Sequence, residues 1–162
     1  MRILVGVALA LVLQCGTALC AEPSNPIVLK SIGETEIEVR TPQGTVEKQR
    51  IPVQKAPPGA EIIYTTTFAN QGRKPAGNVV LTNPIPDHTA YVGGSAFGEN
   101  CAITYSADGG KTFAVPDALK VRTADGRERP ALASEYTHIH WVYKGELAPG
   151  KVGTAGFRVL VK

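Results

Sequence analysis

The stretch from Glu61 to Phe68, EIIYTTTF, constrains this chain more than any other. Successive side chains of an extended strand point to opposite sides. Ile62, Tyr64, Thr66 and Phe68 therefore share one face, and Ile63, Thr65 and Thr67 the other. β-Branched and aromatic residues suit such a pleated surface, and Pro57, Pro58 and Gly59 punctuate its start. No window of a dozen residues shows apolar positions at helical spacing without a Gly or Pro breaking it. The period of two recurs along the chain between turn residues, which predicts an all-β, antiparallel β-sandwich.

The series opens at Ile27 to Ile32 and continues into a hairpin, Thr35 to Val53. There Ile37 and Val39 alternate with Glu36, Glu38 and Arg40, and Pro42 and Gly44 reverse the chain. Its charged face predicts a solvated sheet edge. Val79, Leu81 and Ile85 are expected to point inward. A second hairpin takes Ile103 and Tyr105 in and Phe113 and Val115 out. The polar segment Ala118 to Ser134 reads as a long loop with a short strand at Leu119 to Val121. Thr137, Ile139, Trp141 and Tyr143 then share a strand face, and Ala155, Phe157, Val159 and Val161 alternate in the last strand. Trp141, the single tryptophan, is the expected centre of the core.

Residues 1–21 read as a cleaved secretory signal: Arg2, then the apolar run Ile3 to Leu13, then the small-residue region QCGTALCA. That run is too short for a hydrocarbon layer of about 30 Å, so no membrane span is expected in the mature chain. The expected cut follows Ala21 and leaves residues 22–162 as one domain, with Ala18 as the competing position. Gln14 precedes Cys15 and Leu19 precedes Cys20, so neither carries the small residue that acylation requires. The expected location is periplasmic or secreted. A cut after Ala21 leaves Cys101 alone, expected as a buried thiol, whereas a cut after Ala18 leaves Cys20 able to pair with it. Arg2 is the one charged residue of the signal, so its removal lowers the formal net charge of +3 by one. That balance predicts no nucleic-acid partner.

Several stretches invite a chemical reading. SADGGKTF, Ser106 to Phe113, resembles the Asp-box hairpins of bacterial sialidases. Those hairpins are turns, and here Asp108 is expected to fix the loop by accepting backbone N–H bonds while Phe113 anchors it. His138 and His140 share a strand face and would approach one metal if the fold supplied His88 or Glu135. Two outward histidines on a solvated face are the simpler expectation. Trp141 and Tyr143 are expected in the core, with Tyr91 and Tyr136 the more exposed aromatic candidates for a sugar surface. Cys101 lacks an electropositive cluster, and no serine sits in a Gly-x-Ser-x-Gly elbow. No catalytic, cofactor-binding or metal-binding residue is assigned.

From about Pro57 to Lys162 the order PPGAEIIYTTTFANQGRKPAGNVVLTNPIPDHTAYVGGSA, YSADGGKTF, THIHW and LAPGKVGTAGFRVLVK resembles a bacterial family. It is domain-of-unknown-function family eleven, the conserved repeat domain of secreted and surface proteins. The resemblance implies an immunoglobulin-like sandwich, exported, usually in tandem arrays, with no catalytic residues to carry over. One copy and no wall-sorting signal are read here, a departure from that pattern. The expected role is a non-enzymatic structural or interaction module of the cell envelope, meeting an envelope or surface protein through an edge strand. The alternative is a periplasmic small-ligand or metal-binding protein using the His138/His140 face.

Overall fold

The computed structural model describes residues 26–162. The expected signal, its cut at Ala18 or Ala21, and Cys15 and Cys20 lie outside the described residues. In chain order the strands are β1 (Ile27–Arg40), β2 (Val46–Pro52), β3 (Glu61–Asn70), β4 (Ala76–Gly77) and β5 (Val80–Pro84). Then come β6 (Thr89–Tyr91), β7 (Phe97–Gly98), β8 (Cys101–Ser106), β9 (Lys120–Arg122) and β10 (Glu128–Pro130). The last are β11 (His138–Tyr143), β12 (Glu146–Leu147) and β13 (Val152–Val161). No helix among the described residues is long and apolar enough to cross a membrane.

The strands form two principal antiparallel sheets. One runs β2-β1-β3-β13-β6, with β7 also on β13; the other runs β5-β11-β8. The ribbons β9–β10 and β4–β12 complete the chain. β3 and β13 centre the larger sheet, and their register sets large residues against small ones on the inner face: Phe68 opposite Gly153, Thr66 opposite Ala155. The Phe68 ring lies where a Cβ on Gly153 would stand, so glycine is what lets that ring lie flat on the neighbouring strand. In the smaller sheet Ile139 and Trp141 project from β11 into the core, and both are fully buried.

Aromatic rings join the layers. Trp141 packs on Phe157 with centroids 6.1 Å apart, and Phe68 meets Tyr143 edge-on at 5.8 Å. The indole N–H of Trp141 donates to the Phe97 carbonyl at 3.0 Å, which satisfies the one polar atom of the largest core residue. Tyr91, Tyr105 and Tyr136 form a second buried group, with centroids 4.9–5.6 Å apart. Tyr91 and Tyr136, expected among the exposed aromatics, are only 4% and 8% exposed. The reason is tertiary: β6 of one sheet and the turn before β11 of the other close on Tyr105 from two sides. Burial pushes the Tyr105 phenol well above the ordinary tyrosine range, helped by its hydroxyl contact with Tyr91 at 3.2 Å.

Three local expectations change. Ile27 to Arg40 is one unbroken strand rather than a run followed by a hairpin arm. The outgoing arm after Phe113 is a single bridge, Tyr105 to Ala114. Val115 is 52% exposed and Pro116 begins a 3₁₀ turn, so the buried residue is Leu119. The loop strand at Lys120–Arg122 has a partner, Glu128–Pro130, folded back by Asp125-Gly126 with Gly126 at φ 84°. Val79 and Leu81 are buried as expected, and Ile85 partly so.

Replacing Trp141 by Ala is expected to cost about 3–5 kcal/mol, and Gly153→Ala about 1–3 kcal/mol by displacing the Phe68 ring. Urea unfolding followed by circular dichroism measures both. A Gly153→Ala protein as stable as the parent would refute the close approach.

Candidate functional site

The Ser106–Phe113 turn is built around one carboxylate. Asp108 Oδ1 accepts from Ser106 Oγ at 2.7 Å and from the amides of Lys111 and Thr112 at 3.0 Å, while Oδ2 accepts from Thr112 Oγ1 at 2.7 Å. Ser106 Oγ in turn accepts from the Gly110 amide at 2.9 Å. Gly109 and Gly110 supply φ values of 80° and 84° that let the chain wrap the carboxylate. The Thr112 and Ser106 hydroxyls hold the Asp108 carboxyl far below the ordinary carboxylate range. Its oxygens are committed to the loop, so this group organises a turn.

His138 and His140 lie on the outer face of β11, and the same turn folds onto them. Gly110 sits against the His138 ring, with its Cβ position 3.3 Å from the imidazole. Phe113 lies over His140 with ring centroids 4.7 Å apart. His140 Nδ1 is 2.8 Å from Thr82 Oγ1, and His138 Nδ1 is 3.2 Å from Thr137 Oγ1. The two motifs that stood apart in the sequence thus form one packed surface.

The additional ligands do not converge on it. Glu135 is held bidentately by Arg129 at 2.7 and 2.5 Å and accepts the Leu132 amide at 2.8 Å. These partners, Arg129 first, keep its carboxyl well below the usual range. His88 stands in the turn after β5 with φ 61° and borders a cleft with His138, which His140 does not line. Among the described residues no group of three or more His, Cys, Asp or Glu is placed to hold a metal.

Cys101 begins β8, half-buried rather than fully enclosed, a free thiol whose Sγ donates to the Glu99 carbonyl at 3.4 Å. Burial raises its pKa, against a weaker opposing pull from Lys144. That environment favours the unreactive thiol. Trp141 is wholly enclosed and Tyr91 and Tyr136 are buried, so these rings provide no sugar-stacking platform.

The surface features that remain are sheet edges. The hairpin of β1 and β2 stands at one end of the larger sheet, with Glu36 opposite Arg50 and Glu38 opposite Lys48. Cross-strand pairs of opposite charge stabilise such a ribbon. Its root is fastened by Arg158, which reaches Glu36 at 2.9 Å and Glu61 at 2.5 Å. Sequence reasoning placed the hairpin at an edge but missed this three-residue clasp, because Glu36 and Arg158 lie 122 residues apart.

Compared with family models, curated proteins and solved structures, the chain has no match.

Asp108→Ala is expected to lower the melting temperature at pH 7. A depressed carboxylate stabilises the fold above its unfolded pKa, and that contribution is lost as pH falls. The gap between parent and variant therefore shrinks below about pH 4; melts across pH 2–7 that show a constant gap would contradict the Asp108-centred turn. Zinc(II) titrated into the protein calorimetrically is expected to give no saturable heat, and a one-to-one isotherm lost in His138→Ala would reverse that expectation.

Proposed function

We propose that this chain is an exported, immunoglobulin-like module of the bacterial cell envelope that acts by contact with other proteins rather than by catalysis. The observation that carries the reading is the long first strand. β1 spans Ile27–Arg40 and runs past β3 into a ribbon whose far side, β2, is an edge of the larger sheet. Such edges offer main-chain donors and acceptors to another extended segment. The chemistry-bearing side chains support the same reading: Asp108 is spent on its turn and Glu135 on Arg129, Gly110 and Phe113 pack on the His138/His140 face, and burial raises the pKa of the Cys101 thiol. The apolar run at residues 3–13 and its small-residue border support export.

The test expresses the full sequence in a bacterial host and weighs the protein recovered from outside the cytoplasm. The expected mass begins at Glu22, with one unmodified thiol. Photocrosslinkers placed one at a time along β1 and β2 are expected to capture a discrete envelope protein from at least one position. Full-length cytoplasmic product, or crosslinks no different from those of a crosslinker in the Asp125–Gly126 turn, would overturn the reading.

A further inference from the structure

The two sides of the sandwich are closed differently. On one side the sheets are tied through the tyrosine group and the bond from Trp141 to Phe97. On the other, among the described residues no strand lies on the outer side of the Leu29–Ile32 stretch of β1 or of β5, and both strands border one groove. The Val53 amide donates to the Gly33 carbonyl at 3.0 Å, while the Pro26 carbonyl accepts from Gln71 beside β3. Backbone groups alternate direction along a strand, so odd residues of β1 point away from β3. β2 pairs only with Glu34–Arg40. The N–H and C=O groups of Leu29 and Ser31 thus have no backbone partner among the described residues. By the same alternation, fixed by the bond from the Tyr143 amide to Val79, Val80 and Thr82 present theirs from β5.

Between these edges runs an open groove of about 380 Å³, in which the apolar side chains of Pro26, Leu29, Ala76, Val79 and Val80 stand beside Asn78 and exposed backbone. Leu29 is 54% exposed and Val80 47% exposed. Segments 26–33 and 71–86, which flank it, carry Lys30, Arg73 and Lys74 and no acidic residue. None of the three cations takes part in an ion pair among the described residues. The first carboxylate along β1 is Glu34, where β2 joins.

We infer that the Leu29–Ser31 edge is a strand-addition site for an extended segment of another protein, acidic on one face and apolar on the other. Its main chain would bond Leu29 and Ser31, its apolar side chains enter the groove toward Val80, and its carboxylates meet Lys30, Arg73 and Lys74. A second copy fits poorly: satisfying all four backbone groups sets Leu29 against Ser31 of the other copy and brings the two Lys30 side chains directly opposite, which is destabilising. The inference rests on the proposed role in protein contact and moves its seat from the charged hairpin to the opposite stretch of β1.

The test titrates ¹⁵N-labelled exported protein with the end-capped peptide Glu-Val-Glu-Val-Thr-Val-Glu. The amides of Leu29 and Ser31 are expected to shift saturably below about 1 mM peptide and to gain protection from hydrogen exchange. Lys30→Glu, or a peptide with Lys in place of each Glu, is expected to bind at least about tenfold more weakly. Leu29→Pro removes an N–H that has no backbone partner among the described residues, so it is expected to melt like the parent and lose binding. If that variant does not fold, Lys30→Glu decides, since its side chain is exposed. No saturable shift, or equal binding of the lysine peptide, would overturn the inference. So would protection of Leu29 and Ser31 without peptide in a dimerising protein, which would make a second copy the occupant. Shifts confined to Val46–Pro52 would also overturn it while leaving the contact reading intact.

Discussion

The structure depends on the aromatic seam between its two sheets. Trp141 and Tyr143 come from β11, Phe157 from β13 and Phe68 from β3, and their rings touch across the gap. Each sheet has one apolar face that water would otherwise wet, and burying these large rings supplies most of the drive to stack the layers. The seam also dictates details that look local. Gly153 is glycine because the Phe68 ring occupies its Cβ position. Gly98 has little room for a side chain because Trp141 and Cys101 lie 3.0–3.2 Å from where one would start.

Polar groups finish what the rings begin. Thr66, buried among the core residues of β3, bonds Ser31 on β1 at 2.8 Å and accepts from Asn83 on β5 at 3.0 Å. A buried hydroxyl must be paired or it costs stability, so this trio fixes the relative height of the two sheets near their open side. Asn70 does similar service at the end of β3: its amide donates to Lys74 and Leu147 carbonyls at 2.8 and 2.7 Å, and its oxygen accepts the Gly72 amide. The loops that border the groove are therefore held from within, which gives the groove a defined floor.

Hydrogen bonding also sets the character of the conspicuous carboxylates. Asp108 collects its hydrogen bonds from its own turn and Glu135 from Arg129 of β10 and the Leu132 amide, and each is thereby stabilised as a carboxylate. A general acid or base needs a proton affinity near the working pH, and these environments push the other way. The exposed edges follow a different logic. Opposed charges guard the β1–β2 ribbon, whereas the β1 stretch before it, residues 27–33, has Lys30 as its one charged residue.

Alternation of side chains in Ile62–Phe68, Ile139–Tyr143 and Ala155–Val161 was enough to determine the strands, their inward faces and the place of Trp141, because a period of two is a local property of the backbone. Asp108 as the organiser of its turn was legible for the same reason: all its partners lie within four residues. The burial of Tyr91 and Tyr136, the Arg158 clasp on Glu36 and Glu61, the fold of the Asp108 turn onto the His138/His140 face, and the open edge at Leu29 were decided only in three dimensions. Each joins residues far apart in the chain, and local pattern holds no record of which strand ends beside which.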